Sequence, residues 1–448
     1  MRKLLFLLVM ALLAACSGND DADKAEKLRL SAEEFVWNDT QHDAQLEIIT
    51  NGAWTITSSA DWCTPLVKEG SGRTIVPLWV IPNITKSERT ATLTVKSGSI
   101  AKTVSLKQPA LESSENHQYV LPVVFHVLYH NQADTLEYVR KDWLGKMMSI
   151  VNRIYKHNKT NVQFEMAQYD DEGNKLDEAG VIRHQVSFTE YDPHEFLDTE
   201  GKDHQQFSEF AFNIQRCINI YVFKFNEPKY MGLSDLAITP ENHKLDSLQA
   251  TDYLNTLTKP DFPFGCCINN TYIYETEENG YYNPCYVVNT IAHELGHFLG
   301  LLHTFSEDEC NEDDACTDTK NCDYNAYTTL LEALFDEVER TGKKLTLDDV
   351  AERINCEDAT NYIAHNVMDY AYCFSDEFSE QQIDRMRHVL NYSPSVPGPK
   401  LDIYKKTRAS AGSSKPLRPK LSDCPAFPTN STTRGATAKP VWPNKLFF

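Results

Sequence analysis

His293-Glu294-Leu295-Gly296-His297-Phe298-Leu299-Gly300-Leu301-Leu302-His303 is the stretch on which the reading of the chain turns. His293 and His297 are four apart, so on a helix their imidazoles project from one face, a turn above each other. Gly300 allows a sharp exit from that helix, because glycine tolerates the left-handed conformations that close a helix end. The turn brings His303 round as a third nitrogen. Three protein ligands leave the fourth tetrahedral position of a zinc ion for water, the arrangement of a catalytic zinc rather than a structural one. Glu294 sits beside the first ligand, where its carboxylate reaches that water as general base. The pattern points to a hydrolase. A Leu- and Phe-rich helix with a few histidines is usually only a core helix, and a bare HExxH does arise by chance. Gly300 and His303 are two further fixed positions, which lower that chance by a factor on the order of several hundred.

The 448 residues are enough for about three domains. Hydrophobic residues at 41% and aromatics at 11% supply a sizeable core. The balance of 43 basic against 64 acidic residues gives a net charge of −21. That charge disfavours nucleic acid and anionic lipid headgroups as partners, since both require a basic face.

Residues 1–15 read as a lipoprotein signal peptide. Arg2 and Lys3 form the charged start, and Leu4 to Leu13 is an apolar run too short to span a bilayer. Leu13-Ala14-Ala15-Cys16 resembles a bacterial lipobox, which implies cleavage before Cys16 and its lipidation; an ordinary cleaved signal is the alternative. Residues 16–27 form an acidic tether, similar to the export tag of surface-displayed lipoproteins in Bacteroidetes-type bacteria. The expectation is a lipid-anchored, surface-exposed protein of the outer membrane. Setting Cys16 aside leaves 11 of the 12 cysteines, an odd number. In an oxidising compartment several of these pair. Cys310, Cys316, Cys322, Cys356 and Cys373 cluster downstream of the zinc motif, whereas the adjacent Cys266 and Cys267 cannot pair with each other without strain.

The fold class expected is multidomain: an N-terminal antiparallel β-sandwich followed by an α/β catalytic domain. Residues 28–110 carry short β-runs between turn signals, at 46–50, 54–57, 90–95 and 103–106. Trp54-Thr55-Ile56, Asp61-Trp62-Cys63, Ser87 to Ala91 and Gln108 resemble the BACON domain, an immunoglobulin-like module of Bacteroidetes secreted proteins. That resemblance implies glycan contact, with a simple spacer as the alternative reading. Trp62 and Trp79 read as core rather than as sugar-stacking surfaces. Residues 117–392 carry the second domain. Leu121 to Leu128 reads as a buried strand, Trp143 to Tyr155 as a helix, and Val162–Met166 and Ile218–Phe223 as strands before the zinc helix at about 286–299. His126 reads as a packed side chain, since three other histidines already fill the metal site. Helices are expected around Leu330 to Val338, after Thr346 in capping-box fashion with Asp349, and over Phe378 to Leu390. Residues 393–448, rich in Pro, Ser, Thr and Lys, read as a poorly ordered tail.

The extended HExxHxxGxxH signature with a later methionine resembles the metzincin clan of zinc endopeptidases, Asn366-Val367-Met368-Asp369-Tyr370 supplying the methionine turn. Within the clan, the Pro122-to-His126 strand, Gly300 to Phe305, Cys310 with Asp314 and Asp318-Thr319, Cys373, Phe378, Gln382 and Arg385-Met386 resemble the pappalysin (cytophagalysin-like) family. The resemblance implies that His293, His297 and His303 bind zinc, that Glu294 is the base, and that Met368 lies beneath the metal as a hydrophobic floor. It implies that Tyr370 either stabilises the oxyanion or ligates the resting metal; a packed tyrosine in a turn is the alternative. Calcium near Asp314, Asp318 and Thr319 is a further implication, oxygen ligands at that spacing suiting a hard cation, and an acidic solvated loop accounts for them equally. A Cys356–Cys373 disulfide anchoring the methionine turn is also implied. Lys320, where the family usually has proline, and the long insertion from about Tyr324 to Ile354 depart from the pattern. No latency segment is recognisable. The expected activity is endoproteolysis of extracellular proteins or peptides; the rival is a surface adhesin that uses the sandwich and carries an inactive protease scaffold.

Overall fold

The computed structural model describes residues 27–37, 43–81, 83, 87–110, 117–198, 204–251, 262–274, 287–370, 372–401 and 421–425. The signal peptide, Cys16 and nearly all of the acidic tether lie outside these residues. The described chain divides into an N-terminal unit, most of it within 27–106, and a larger unit made of residues from 107 onward together with stretches within 36–42 and 80–89.

The N-terminal unit is built on seven strands: β1 (Leu28–Leu30), β2 (Glu34–Val36), β3 (Asp43–Ser58), β4 (Cys63–Pro65), β5 (Glu69–Val80), β6 (Arg89–Ser97) and β7 (Ile100–Gln108). They join in one hydrogen-bonded path, β2-β7-β6-β3-β5-β4, with β1 beside β3. Leu46, Ile48, Trp54 and Ile56 of β3 are buried together with Leu93 and Val95 of β6 and Val104 and Leu106 of β7. This is the period-two burial of a sheet with one solvated face. The runs 46–50 and 54–57, read as two strands from the sequence, are one. The register of β3 against β5 shifts between Ile49 and Ala53, and the Gly52 amide donates to Thr50 Oγ1 at 3.1 Å. A bulge thus absorbs the Asn51-Gly52 pair without turning the chain. Trp62 is core as expected. Trp79 is only half-buried, because alternation along β5 puts it on the face opposite Leu78 and Val80.

The larger unit begins with β8 (Tyr119–Tyr129), α1 (Lys141–His157), β9 (Val162–Met166), β10 (Val181–Gln185), α2 (Pro193–Leu197) and α3 (His204–Ser208). Then come β11 (Ile218–Phe223), β12 (Tyr230–Asp235), a small parallel clip of β13 (Thr239–Pro240) and β14 (Ala250–Thr251), and β15 (Cys266–Asn269). β9 and β10 share one edge of β8 and β11 takes the other, all parallel, and β15 follows parallel to β11. β12 closes this run antiparallel to β15. Continuous burial of Ile218 to Phe223 and of Val123 to Leu128 reflects strands covered on both faces. Helix α4 (Val287–Phe298) is buried at almost every position and packs beneath the sheet. The Tyr155 hydroxyl of α1 donates to its Ala292 carbonyl at 3.0 Å.

Downstream lie β16 (Phe305–Ser306), β17 (Cys322–Asp323), α5 (Tyr324–Thr341), α6 (Leu347–Ala351), β18 (Glu352–Ile354), β19 (Asn361–Ile363) and α7 (Glu380–Tyr392). Asp323 caps α5 and Gly342 ends it in the left-handed conformation. Thr346 with Asp349, and Ser379 with Gln382, form reciprocal capping boxes on α6 and α7.

The expectation of a poorly ordered tail from Ser393 is corrected in two places. Ser393, Ser395 and Val396 are buried, Ser393 Oγ donating to the Ile238 carbonyl at 2.6 Å. Residues Leu421–Pro425 form a further strand, β20, antiparallel to β12. Composition marked this segment as coil, but an edge strand requires only backbone pairing. The rest of the tail lies outside the described residues.

Candidate active site

Helix α4 ends in a paired-bond turn. The Leu301 amide donates to the Gly296 carbonyl at 3.0 Å and the Gly300 amide to the His297 carbonyl at 2.8 Å. Gly300 has φ +92°, the left-handed position such an ending requires. The same turn delivers the Leu301 carbonyl to His297 Nδ1 at 2.9 Å. His293 Nδ1 meets the Val367 carbonyl at 2.8 Å. Carbonyls only accept, so both Nδ1 atoms carry the proton and both Nε2 atoms present lone pairs.

Those lone pairs converge. His297 Nε2 lies 2.9 Å from His293 Nε2 and 2.9 Å from His303 Nε2. Two lone pairs at that distance repel unless a cation lies between them. Protons are a poor substitute, because burial pushes the His293 imidazole down to about 4 and the other two well below their ordinary range. The donor set therefore fits a metal ion, and three neutral imidazoles suit zinc. Among the described residues these three histidines form a group whose ligand atoms lie within 4.8 Å of one another.

The supports of the site come from separate segments. Met368 is fully buried, and a Cβ placed on Gly296 would overlap its sulfur. Only glycine at 296 lets the methionine turn approach the helix. The Met368 amide donates to Asn366 Oδ1 at 2.9 Å, and Asn366 Nδ2 donates to Gln382 Oε1 on α7 at 2.8 Å. Arg385 of α7 donates from Nε to the Gly300 carbonyl at 2.6 Å, securing the end of α4. The His303 ring stacks on Phe305, centroids 4.6 Å apart. Tyr370 is buried with its ring 4.4 Å from that of His303 and 5.7 Å from that of His293. Glu294 is fully buried and lies under β12, where a Cβ on Gly232 would come within 2.7 Å of its Cγ.

Arg353, at the end of the insertion, is buried and donates from Nη2 to the Tyr370 carbonyl at 3.1 Å. Its guanidinium sits 3.5 Å over the Tyr327 ring and 3.7 Å from Asp369. The insertion that departs from the family pattern is therefore fastened to the methionine turn. Sequence reading missed Arg353, Gly232 and Gly296 as parts of the site; for Gly296 a signal existed, a helix-breaking residue inside an otherwise apolar helix.

The remaining expectations fall out differently. Cys356 is bonded to Cys310, with Cα atoms 5.7 Å apart, and not to Cys373. Cys373 is held elsewhere, its thiol 3.2 Å from the Asn366 carbonyl inside the methionine turn. Asp314 and Thr319 do meet, but through an internal bond: Thr319 Oγ1 donates to Asp314 Oδ1 at 2.8 Å. Asp318 Oδ2 accepts the Gln381 amide at 2.9 Å. Burial raises the Asp314 carboxyl to about 6. His126 lies on β8, bonded to His184 and Asn219, and is packed. A second group unforeseen in the sequence brings His365, Asp376 and Glu377 within 4.8 Å at the surface.

Residues 265–391 match the model of the M43 peptidase family, pregnancy-associated plasma protein-A, and residues 52–109 match that of BACON, an N-terminal binding domain. The chain carries a pappalysin-family metallopeptidase domain behind a BACON domain. The pappalysin match spans β15, the metal helix, the methionine turn and α7, so it contains every residue of the site but Gly232. No curated protein matches the chain. Solved structures that resemble parts of it include a Bacteroides ovatus GH5 xyloglucanase, 14% identical over 45% of this chain and 37% of that one, TM-score 0.18. Another is a protein from Bacteroides thetaiotaomicron, 14% identical over 22% of this chain and all of that one, TM-score 0.16. This chain thus spans little more than a third of the xyloglucanase. At these TM-scores neither likeness bears on the fold.

Proposed function

We propose that the protein is an active zinc endopeptidase whose substrates are extracellular proteins or peptides. The observation that carries the reading is the convergence of the His293, His297 and His303 Nε2 atoms, with a buried glutamate next to His293 on the helix. His293, His297 and His303 would hold the metal, which when bound supplies Lewis acidity toward water and the scissile carbonyl. Glu294 takes a proton from the attacking water and returns it to the leaving amine. Tyr370, packed against His303, supports the oxyanion. The buried methionine turn and the Phe305 face keep bulk water from the ligands, which strengthens every charge interaction there.

In the same proposal the N-terminal unit is an immunoglobulin-like sandwich that contacts glycan or spaces the peptidase from the membrane. Cys16 anchors the protein to the outer membrane by lipid. Calcium beside Asp314, Asp318 and Thr319 belongs to the same proposal, since Asp314 Oδ1 accepts from Thr319 while its buried Oδ2 has no hydrogen-bond partner among the described residues.

The test is digestion of a peptide library by the purified protein, with and without a zinc chelator, beside Glu294→Ala. We expect cleavage that the chelator abolishes, and a variant that keeps stoichiometric zinc but loses about 10²–10⁴-fold in rate. A variant as fast as the native protein would overturn the role of Glu294. Intact peptides throughout, with zinc bound, would favour the adhesin reading.

A further inference from the structure

We propose that residues 421–425 occupy, in cis, the place of an extended peptide on the edge of the catalytic sheet, and so regulate access to the cleft. The inference rests on the peptidase reading above. Strand β12 lies directly against the metal helix, with Gly232 facing Glu294 so closely that no side chain fits between them. Its inner edge pairs with β15, Gly232 opposite Ile268 and Ser234 opposite Cys266. Its outer edge pairs with β20: Gly232 opposite Cys424, Leu233 opposite Asp423, Ser234 opposite Ser422 and Asp235 opposite Leu421. The strand beside the general base therefore has its outward backbone groups taken by the chain's own C-terminal segment.

An open sheet edge is a template for an extended peptide, which adds as a further strand through main-chain bonds whatever its sequence. A peptide aligned on β12 and segment 421–425 cannot hold that edge together. The ladder is short, and Pro425, having no amide proton, ends it. Five paired residues alone bind weakly. Their covalent link to the body at Leu401 makes the contact intramolecular, which favours it over a dilute free peptide. The segment thus acts as a strap that excludes dilute peptides and yields to displacement.

The decisive variant is Ser422→Pro with Asp423→Pro in the full chain. Successive amides of a strand point to opposite edges, so one of the two substitutions removes a bond to β12 whichever amide faces it. Three readouts are compared with the unsubstituted protein: kcat/KM on an extended fluorogenic peptide, binding of a labelled non-hydrolysable peptide, and hydrogen exchange of the β12 amides. We expect kcat/KM and peptide affinity to rise at least tenfold, and those amides of 232–235 that face β20 to exchange faster until the peptide is added. Unchanged affinity and unchanged exchange would overturn the strap. Tighter peptide binding without turnover in either protein would support the strap and sink the peptidase reading, which keeps the two separable.

Discussion

Two clusters of buried histidines sit in the same unit, and their difference shows what distinguishes a metal cradle from packing. On β8, β10 and β11, His126 Nε2 meets Asn219 Oδ1 at 3.0 Å while Asn219 Nδ2 donates to the Phe212 and Phe264 carbonyls. That fixes Oδ1 as the acceptor and Nε2 as the donor. His126 Nδ1 is then a lone pair, and His184 Nε2 donates to it at 3.0 Å. Both ring nitrogens of His126 are thus satisfied by protein partners. In the second cluster the outer nitrogens of His293 and His297 donate to carbonyls and their inner ones accept, so that facing pair is satisfied only around a cation. Both clusters are buried, and burial depresses both: His126 to about 3 and His184 to about 4, as with His293. Neither depth nor proton affinity separates them. The direction of the lone pairs does.

The largest effect that would break this contrast is an exchange of roles. His297→Ala is expected to cost more than about 100-fold in metal affinity, beyond the loss typical of an outer-sphere partner, and to leave no measurable cleavage. His126→Gln is expected to keep stoichiometric zinc and activity while losing about 1–3 kcal/mol of stability, from an imperfectly satisfied buried network. Metal analysis and chemical denaturation of both proteins read this directly. Metal loss in the second variant would erase the distinction.

An intermediate effect is expected at Gly296→Ala. The added methyl must displace Met368, and overpacking of this kind costs about 1–3 kcal/mol. Because Met368 follows the Val367 carbonyl that orients His293, the variant should also bind zinc less tightly. Thermal denaturation with and without excess zinc separates the two consequences, and an unaltered zinc-dependent shift would confine the defect to packing.

The smallest effect lies in the pH dependence of stability. His126 and His184 are neutral in the fold, with values near 3 and 4, against about 6.5 for an unfolded histidine. Below pH 6.5 the unfolded chain binds protons that the fold excludes, so stability is full above that pH and falls as the pH drops toward 4. His126→Gln removes one such group. Its melting temperature should therefore decline less steeply with acidity than that of the native protein across pH 6.5 to 4. Parallel slopes would show that this pair takes up protons without unfolding.

What the sequence made legible followed from spacing and period. The turn after Gly300, the helix over 287–298 and strand β11 come from local rules: a left-handed glycine, an apolar helix, an unbroken β-branched run. What it left hidden is set by distant pairing. Gly232 lies some sixty residues before Glu294 in the chain, and its importance exists only once β12 lies on α4. Arg353 carries no local signal in the sequence; its role arises only where the Tyr370 carbonyl and the Tyr327 ring meet its guanidinium. Disulfide partners are equally non-local, which is why Cys310 rather than Cys373 took Cys356. β20 shows the reverse problem, a segment whose composition argues for coil and whose backbone nonetheless found a vacant edge.

The Cys310–Cys356 bond has one more consequence. It fastens together the two ends of the stretch that carries α5 and α6, while Arg353 rivets its last residues beneath Tyr370. Everything between is suspended from fixed points. Lengthening a suspended segment costs little, since closure entropy grows only with the logarithm of length. The segment carrying α5 and α6 is in this sense an interchangeable fitting, which can be lengthened or replaced while the metal ligands and Glu294 stay where they are.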